Sequence, residues 1–433
     1  MVLRIVRNKG PHMRIFQPLR GTPVALLWGG MSLSALGDQL YAVALTWIAV
    51  EVLGSNAGYL SALQALVTLL AVLGIGRWAD RWDRLRGMIG ADFARALVLL
   101  AVVAVWSATG GPGVAQLACA IVVLAAGQAV FQPALQSVLP SLVDDPRLLP
   151  AANGLLDATS RTARLLGPGL VALLASAIPV RHFLTVDAVS FLASAAALLL
   201  VRRLRPGPQA DAAKAAPEPL WRGIARGRRA TAVHPLVGYF FTTTGVLNGA
   251  WYAVFFLGLP LMIGSAKSPA ANGLSAYGLI LSAYGCMNLA ATMVFGGRSL
   301  PSRPQFQMFA GVLVTGSGIV LLGLANTLPA EWKLSGFAAV AALTAMGGPM
   351  SDIPLAVLRQ LRLRAPDVPA AMRVHIAMTN AGILLAMLLM PVAFGRVGVA
   401  PVIVACGIAY LAVAITGLAR HAAWIEVSGP QPA

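Results

Sequence analysis

Inside the apolar stretches of this 433-residue chain there are few ionisable side chains, and those few are the groups able to do chemistry there. Asp38 stands about 14 residues into the apolar run 24–50, or ~21 Å deep at 1.5 Å per residue, past the midplane of a ~30 Å hydrocarbon core. Arg164 stands about 12 residues into the run 152–178, at ~18 Å. Asp157, Arg161 and Arg164 follow at i, i+4 and i+7, which puts them on one helix face. Asp352 sits in the run 334–358, just before Pro354. An ionisable group at the centre of a bilayer costs roughly 2.5–3.5 kcal/mol, so each needs a partner or a purpose. Asp38 is expected to carry a proton, its occupancy set by competition between lost solvent and a neighbouring arginine. The expected partner is Arg164. A proton bound from outside would weaken that pair, whereas a static pair would only fix helix packing. Asp92 and Arg95, early in the run 89–108, read as supports of the preceding loop. Asp187 reads as a helix cap near the outer end of its run, and His375 as a satisfied helix-end histidine.

The elements that position these groups follow from composition. Apolar residues make up 58% of the chain and charged residues 11%, with a mean hydropathy of +0.77. A water-soluble globule could not cover that much apolar surface, and a disordered chain would not carry it. The apolar runs are unbroken rather than alternating, which excludes an outer-membrane barrel and predicts membrane-spanning helices. Twelve runs are legible: 24–50, 57–76, 89–108, 114–140, 152–178, 183–201, 236–262, 273–296, 306–327, 334–358, 370–394 and 400–419. The expected fold is an all-α polytopic membrane protein of twelve transmembrane helices. Its parts are an N-terminal tail (1–22), a six-helix bundle (23–202), a linker (203–234), a second six-helix bundle (235–420) and a tail (421–433). With the N-terminus inside, 25 of the 32 Lys and Arg fall on the cytoplasmic side, four on the outer side and three within spans. That asymmetry satisfies the positive-inside rule and accounts for the net charge of +17 without a nucleic-acid partner. The expected location is a bacterial inner membrane, with both termini cytoplasmic. Met1–Arg20 lacks an apolar segment with a cleavage site and does not read as a cleaved signal. In the linker, Leu220 to Arg229 has the pattern of a short amphipathic helix.

Other chemistries find little support. No GxxxxGK[ST] loop for nucleotide and no HExxH helix for metal occurs, and the five histidines are scattered. Cys119, Cys286 and Cys406 all fall in apolar runs and read as small core residues. No cofactor or metal is expected.

The halves resemble each other. At a shift of 221, Leu60-Ser61-Ala62 meets Leu281-Ser282-Ala283, Gly76-Arg77 meets Gly297-Arg298, Gly127 meets Gly348 and Pro133 meets Pro354. At 211, Tyr41-Ala42-Val43 meets Tyr252-Ala253-Val254. Six helices followed by six in the same orientation imply two parallel repeats, with a solute site between them near the midplane.

After the second run comes Gly76-Arg77-Trp78-Ala79-Asp80-Arg81-Trp82-Asp83-Arg84. It resembles the loop between helices 2 and 3 of the major facilitator superfamily, in which Gly76, Asp80, Arg81 and Arg84 match and Asp83 replaces a glycine. The resemblance implies a cytoplasmic latch onto helix 11. Ser34-Ala35-Leu36-Gly37-Asp38, the stretch from Phe131 to Leu170, and Val186-Asp187-Ala188-Val189-Ser190-Phe191 resemble the branch of enterobactin exporters and macrolide efflux pumps. Gly167-Pro168 resembles the helix-5 motif of antiporters, with Val171 and Ala172 where further glycines stand. The arginine motif of helix 4 in drug/proton antiporters has no counterpart. The resemblance implies proton-coupled efflux of a siderophore-like or drug-like solute by a monomer in the lipid bilayer, with proton-coupled uptake or a non-transporting sensor as alternatives. Helices 1 and 7 line the cavity in that family, which makes Tyr41, Asn248, Trp251 and Tyr252 the candidate solute contacts.

Overall fold

The computed structural model describes residues 16–74, 83–204, 220–232, 234–265, 273–298, 300–364 and 367–422. Among the described residues there is no strand, only long helices joined by short turns. The first six are α1 (Thr22–Leu53), α2 (Ala57–Gly74), α3 (Arg84–Thr109), α4 (Val114–Leu142), α5 (Leu149–Leu174) and α6 (Arg181–Leu204). A short basic helix, α7 (Leu220–Ala232), falls where the linker pattern places one. The seventh crossing is α8 (Pro235–Ala253), which runs through a π-helical turn at Val254–Gly258 into α9 (Leu259–Ser265). Next come α10 (Gly273–Gly296), α11 (Pro304–Leu324), α12 (Ala330–Ala345) leading directly into α13 (Gly347–Arg362), α14 (Val368–Val397) and α15 (Val399–His421). Ten stretches are long and apolar enough to cross a membrane; one of them, Thr22–Leu73, turns back at Gly54 to make both α1 and α2. The polar face of α5 leaves it outside the ten, and with it the described residues give the twelve crossings expected.

Helix ends follow local chemistry. Proline stands in the first turn of α1, α5, α8, α11 and α14, where its missing N–H has no intrahelical partner to lose. Asp83 caps α3, its carboxylate accepting from the Arg86 N–H at 3.2 Å and pairing with the Arg86 guanidinium at 3.2 Å. That cap gives a reason for an aspartate where the resemblance has glycine. Gly76, Asp80 and Arg81 lie outside the described residues; Arg84 opens α3.

The two sets of six pack alike. α1 lies against α5 and α6, α3 against α4 and α6, and α2 against α4. Six crossings on, α8 lies against α14 and α15, α11 against α12, α13 and α15, and α10 against α12 and α13. α8 and α14 meet backbone to backbone: any side chain at Gly382 would strike the main chain of Gly245.

The halves join through α2 with α14 and α5 with α10. The named contacts lie away from the end where α1 begins. Gly58 at the start of α2 meets Pro391 and Met387 of α14, Gly273 meets Trp47 of α1, and Gly278 meets Pro168 and Ala172 of α5. The α5–α10 seam reaches inward to Leu165 and Gly285. Beyond it, on the same face of α5, Asp157 and Arg161 are exposed. Polar side chains on a membrane helix face water or protein rather than lipid, so this stretch of α5 borders water.

Candidate functional site

The first half holds a buried polar centre around Arg95. This residue lies 11 positions into α3, ~17 Å along its axis, and is 2% exposed. Its Nη2 donates to Asp92 one turn earlier, and its Nη1 donates to Gln128 Oε1 of α4 at 3.0 Å. The guanidinium stacks over Phe191 of α6 at 4.2 Å and Phe131 of α4 at 5.1 Å. Gly127 makes the room, since a side chain there would meet the Arg95 stem at 2.8 Å. Asp92 and Asp187 are both 0% exposed, and each leaves one carboxylate oxygen without a partner. The Ser190 hydroxyl donates to Asp187 Oδ1 at 3.1 Å. Asp38 of α1 lies in the electrostatic field of Arg95, Asp92 and Asp187. The residue beside it, Gly37, presses against Asp187 and Ser190, so α1 touches α6 at the centre itself. Tyr41, one turn on, lies in the electrostatic field of Asp38, Asp187 and, from the other half, Tyr252. Of three carboxylates on three helices, Asp92 pairs with the guanidinium, while Asp38 and Asp187 lie in its electrostatic field.

This corrects several expectations. Among the described residues Asp38 forms no salt bridge with Arg164, which is exposed on α5. Its cationic neighbour is Arg95 instead. Asp92 and Arg95 form the core of the centre; residues 75–82 of the loop that they are expected to support lie outside the described residues. Asp187 is no cap, because it lies six residues inside α6 and is wholly buried. Asp157 and Arg161 do pair, at 2.7 Å, but with side chains 58% and 62% exposed. Gly167 admits Gln39 of α1, and Pro168 abuts Gly278 of α10, so the helix-5 motif sits where α5 touches both halves. Cys406 is buried, whereas Cys119 and Cys286 are exposed and so are not core residues.

The second half holds a different polar centre, a cavity of about 430 Å³. Asn248 and Trp251 of α8 line it with Tyr284 and Asn288 of α10; Tyr41 and Tyr252 are not among its lining residues. Tyr252 stacks on Phe256 at 4.5 Å instead. Asp352 and Arg359 of α13 and His375 of α14 bring ionisable groups to the same space. Trp251 Nε1 donates to the Tyr284 hydroxyl at 3.1 Å, and the Tyr410 hydroxyl donates to the Leu247 carbonyl at 2.7 Å. His375 is not a satisfied helix-end residue: its Nδ1 is buried without a partner, and its ring lies 5.1 Å from that of Phe241.

The family model of the Major Facilitator Superfamily matches residues 27–322. The chain belongs to this superfamily. It is a multi-pass membrane transporter, not an enzyme, and its partners are the bilayer and a small-molecule substrate. Among solved structures it is similar to the POT family transporter PepTSo, at 12% identity and a TM-score of 0.66 over 93% of this chain and 98% of that one. The nucleoside transporter NupG gives 12% identity and a TM-score of 0.67 over 91% and 99%. A POT family transporter in complex with 5-aminolevulinic acid gives 12% and 0.64 over 92% and 96%. At such identities these likenesses show the fold alone. No curated protein matches the sequence.

Within a major facilitator transporter the two centres have different aptitudes. The Arg95 centre is packed between α1, α3, α4 and α6, with Arg95, Asp92 and Asp187 buried and Asp38 half-buried, and leaves no room for a solute beside the guanidinium. The second-half cavity is roomy, polar at one end and aromatic at the other, and within the usual size of a small-molecule pocket, about 300–1,000 Å³. Arithmetic on α3 could have found Arg95: a helix begun at Arg84 carries it well past the headgroups. Arg359 lay beyond the end assigned to its run, and nothing in the local pattern separates it from the basic residues of the following loop.

Proposed function

We propose that this major facilitator transporter is a secondary active exporter that exchanges protons for a small amphipathic molecule, siderophore-like or drug-like. The observation that carries the reading is the set formed by buried Asp92 and Asp187 and half-buried Asp38 around Arg95. Three carboxylates against one guanidinium leave the centre two positive charges short, and binding a proton reduces that shortfall. Asp38 is the proton carrier, because its helix α1 borders α10 of the other half as well as α5 and α6. When Asp38 is ionised it holds α1 toward Arg95. When it binds a proton from the far side, that attraction is lost and α1 shifts with α5, to which it is keyed through Gln39 and Gly167. The α5–α10 seam then opens. The Gly76, Asp80, Arg81 and Arg84 motif latches the opposite side in that state. The membrane potential adds about 2.3 kcal/mol per charge per 100 mV. The exposed polar face of α5 toward the basic end supports loading from the cytoplasm.

The test uses inside-out and right-side-out vesicles carrying the full chain, a panel of amphipathic dyes and chelates, and an imposed pH gradient. Accumulation in inside-out vesicles with an acidic lumen, lost in Asp38→Asn, is the expected result. Accumulation with the opposite vesicle orientation would make the protein an uptake symporter. Solute movement indifferent to the gradient would end the proton-coupled reading.

A further inference from the structure

We propose that the second-half cavity is a binding site for zwitterionic solutes whose ammonium and carboxylate stand about 10 Å apart; this rests on the transporter reading above and names its substrate class. Asp352 and Arg359 are i and i+7 on α13, so they share a face, separated by ~10 Å along the axis. Both line the cavity, and among the described residues neither forms a salt bridge with the other or with anything else. The hydrogen bond recorded for Arg359 is a weak one, to Met372 Sδ at 3.4 Å. Unpaired charges in a membrane protein mark a substrate path.

Depth orders the site. Arg359 lies three residues from the end of α13, ~5 Å in, with His375 of α14 nearby as a second nitrogen donor or acceptor. Asp352 lies ~15 Å in, and Trp251, 16 residues along α8, lies deeper still at ~24 Å. Trp251 and Tyr284, tied by their hydrogen bond, line the same cavity as the aspartate. An ammonium reaching Asp352 meets a carboxylate and aromatic rings together, which suits a cation. A carboxylate left at the mouth meets the planar fork of Arg359. A solute with one charge leaves the other protein charge unpaired.

The experiment is equilibrium dialysis of radiolabelled 8-aminooctanoate against the full-length protein in lipid nanodiscs. Competitors are 4-aminobutyrate and the methyl ester and N-acetyl forms of 8-aminooctanoate. Saturable binding is expected, with each competitor at least tenfold weaker than the parent acid. Asp352→Asn should erase the distinction between the free and acetylated amine, and Arg359→Gln that between acid and ester. No saturable binding to the unaltered protein, or equal affinity across the competitors, overturns the inference without help from any variant. If binding fails while Asp38→Asn still abolishes proton-driven export of another solute, the zwitterion site is wrong and the export reading stands.

Discussion

The two halves of this transporter pack their helices in the same order but put their charges in non-equivalent places. At the repeat shift of 221, Arg95 of the first half corresponds to Gly316 and Phe131 to Asp352; at 211, Asp38 corresponds to Gly249. Where the first half has a guanidinium wedged among carboxylates, the second has Gly316 pressed against the backbone of Gly407. Where the second half opens a cavity beside Asp352, the first fills the space with the Phe131 ring stacked on Arg95. One scaffold therefore supports a packed cluster of charges in one half and an open, polar cavity with room for a solute in the other. Their separation is what coupling requires, since a proton and a substrate at different sites can each bias the same movement.

The contrast is open to attack by substitution, most severely at Arg95. Arg95→Met should leave carboxylates buried without their cation and cost about 3–5 kcal/mol, enough to abolish a monodisperse peak on size-exclusion chromatography. Arg359→Gln, in the open cavity, should elute like the unaltered protein; equal collapse of both would erase the distinction between the centres. Gly127→Val comes next. Its side chain would drive into the Arg95 stem, costing about 1–3 kcal/mol and lowering the melting temperature in a thermal-shift assay. The corresponding change at Gly348, whose nearest neighbour is the Asn288 amide at 3.5 Å, should cost less. Asp157→Ala should be the mildest. It breaks an exposed ion pair worth about 0.5 kcal/mol or less, which raising the salt should already have weakened. A large loss of stability there would mean that the polar face of α5 is not open to water.

Much of this was legible in one dimension. Hydropathy alone counts crossings, and the Lys and Arg asymmetry is a sum along the chain, so the twelve helices and the linker helix could be read directly. Partnership could not. Asp38 and Arg164 have similar depths, but depth does not say which way a helix is turned about its axis. α5 turns Arg164 to an exposed face, while α3 and α6 turn Arg95 and Asp187 inward. Asp187 looked like a cap because it lies near a run's end, yet α6 begins at Arg181, a full turn and more before it. The cavity gathers residues of α8, α10, α11, α13, α14 and α15, an assembly no local pattern encodes. Asn248 and Trp251 are legible through the family resemblance, which assigns their helix to the cavity; Asp352 is legible because a lone carboxylate in an apolar run demands a reason.

The claim on which the rest depends is that the Asp38 carboxylate couples proton movement to transport. The most direct measurement compares two modes of one protein in the same vesicles: solute exchange at equal pH on both sides, and accumulation driven by a pH gradient. For Asp38→Asn the account predicts that exchange persists near the parental rate while gradient-driven accumulation falls to background. Accumulation that survives the substitution would contradict it.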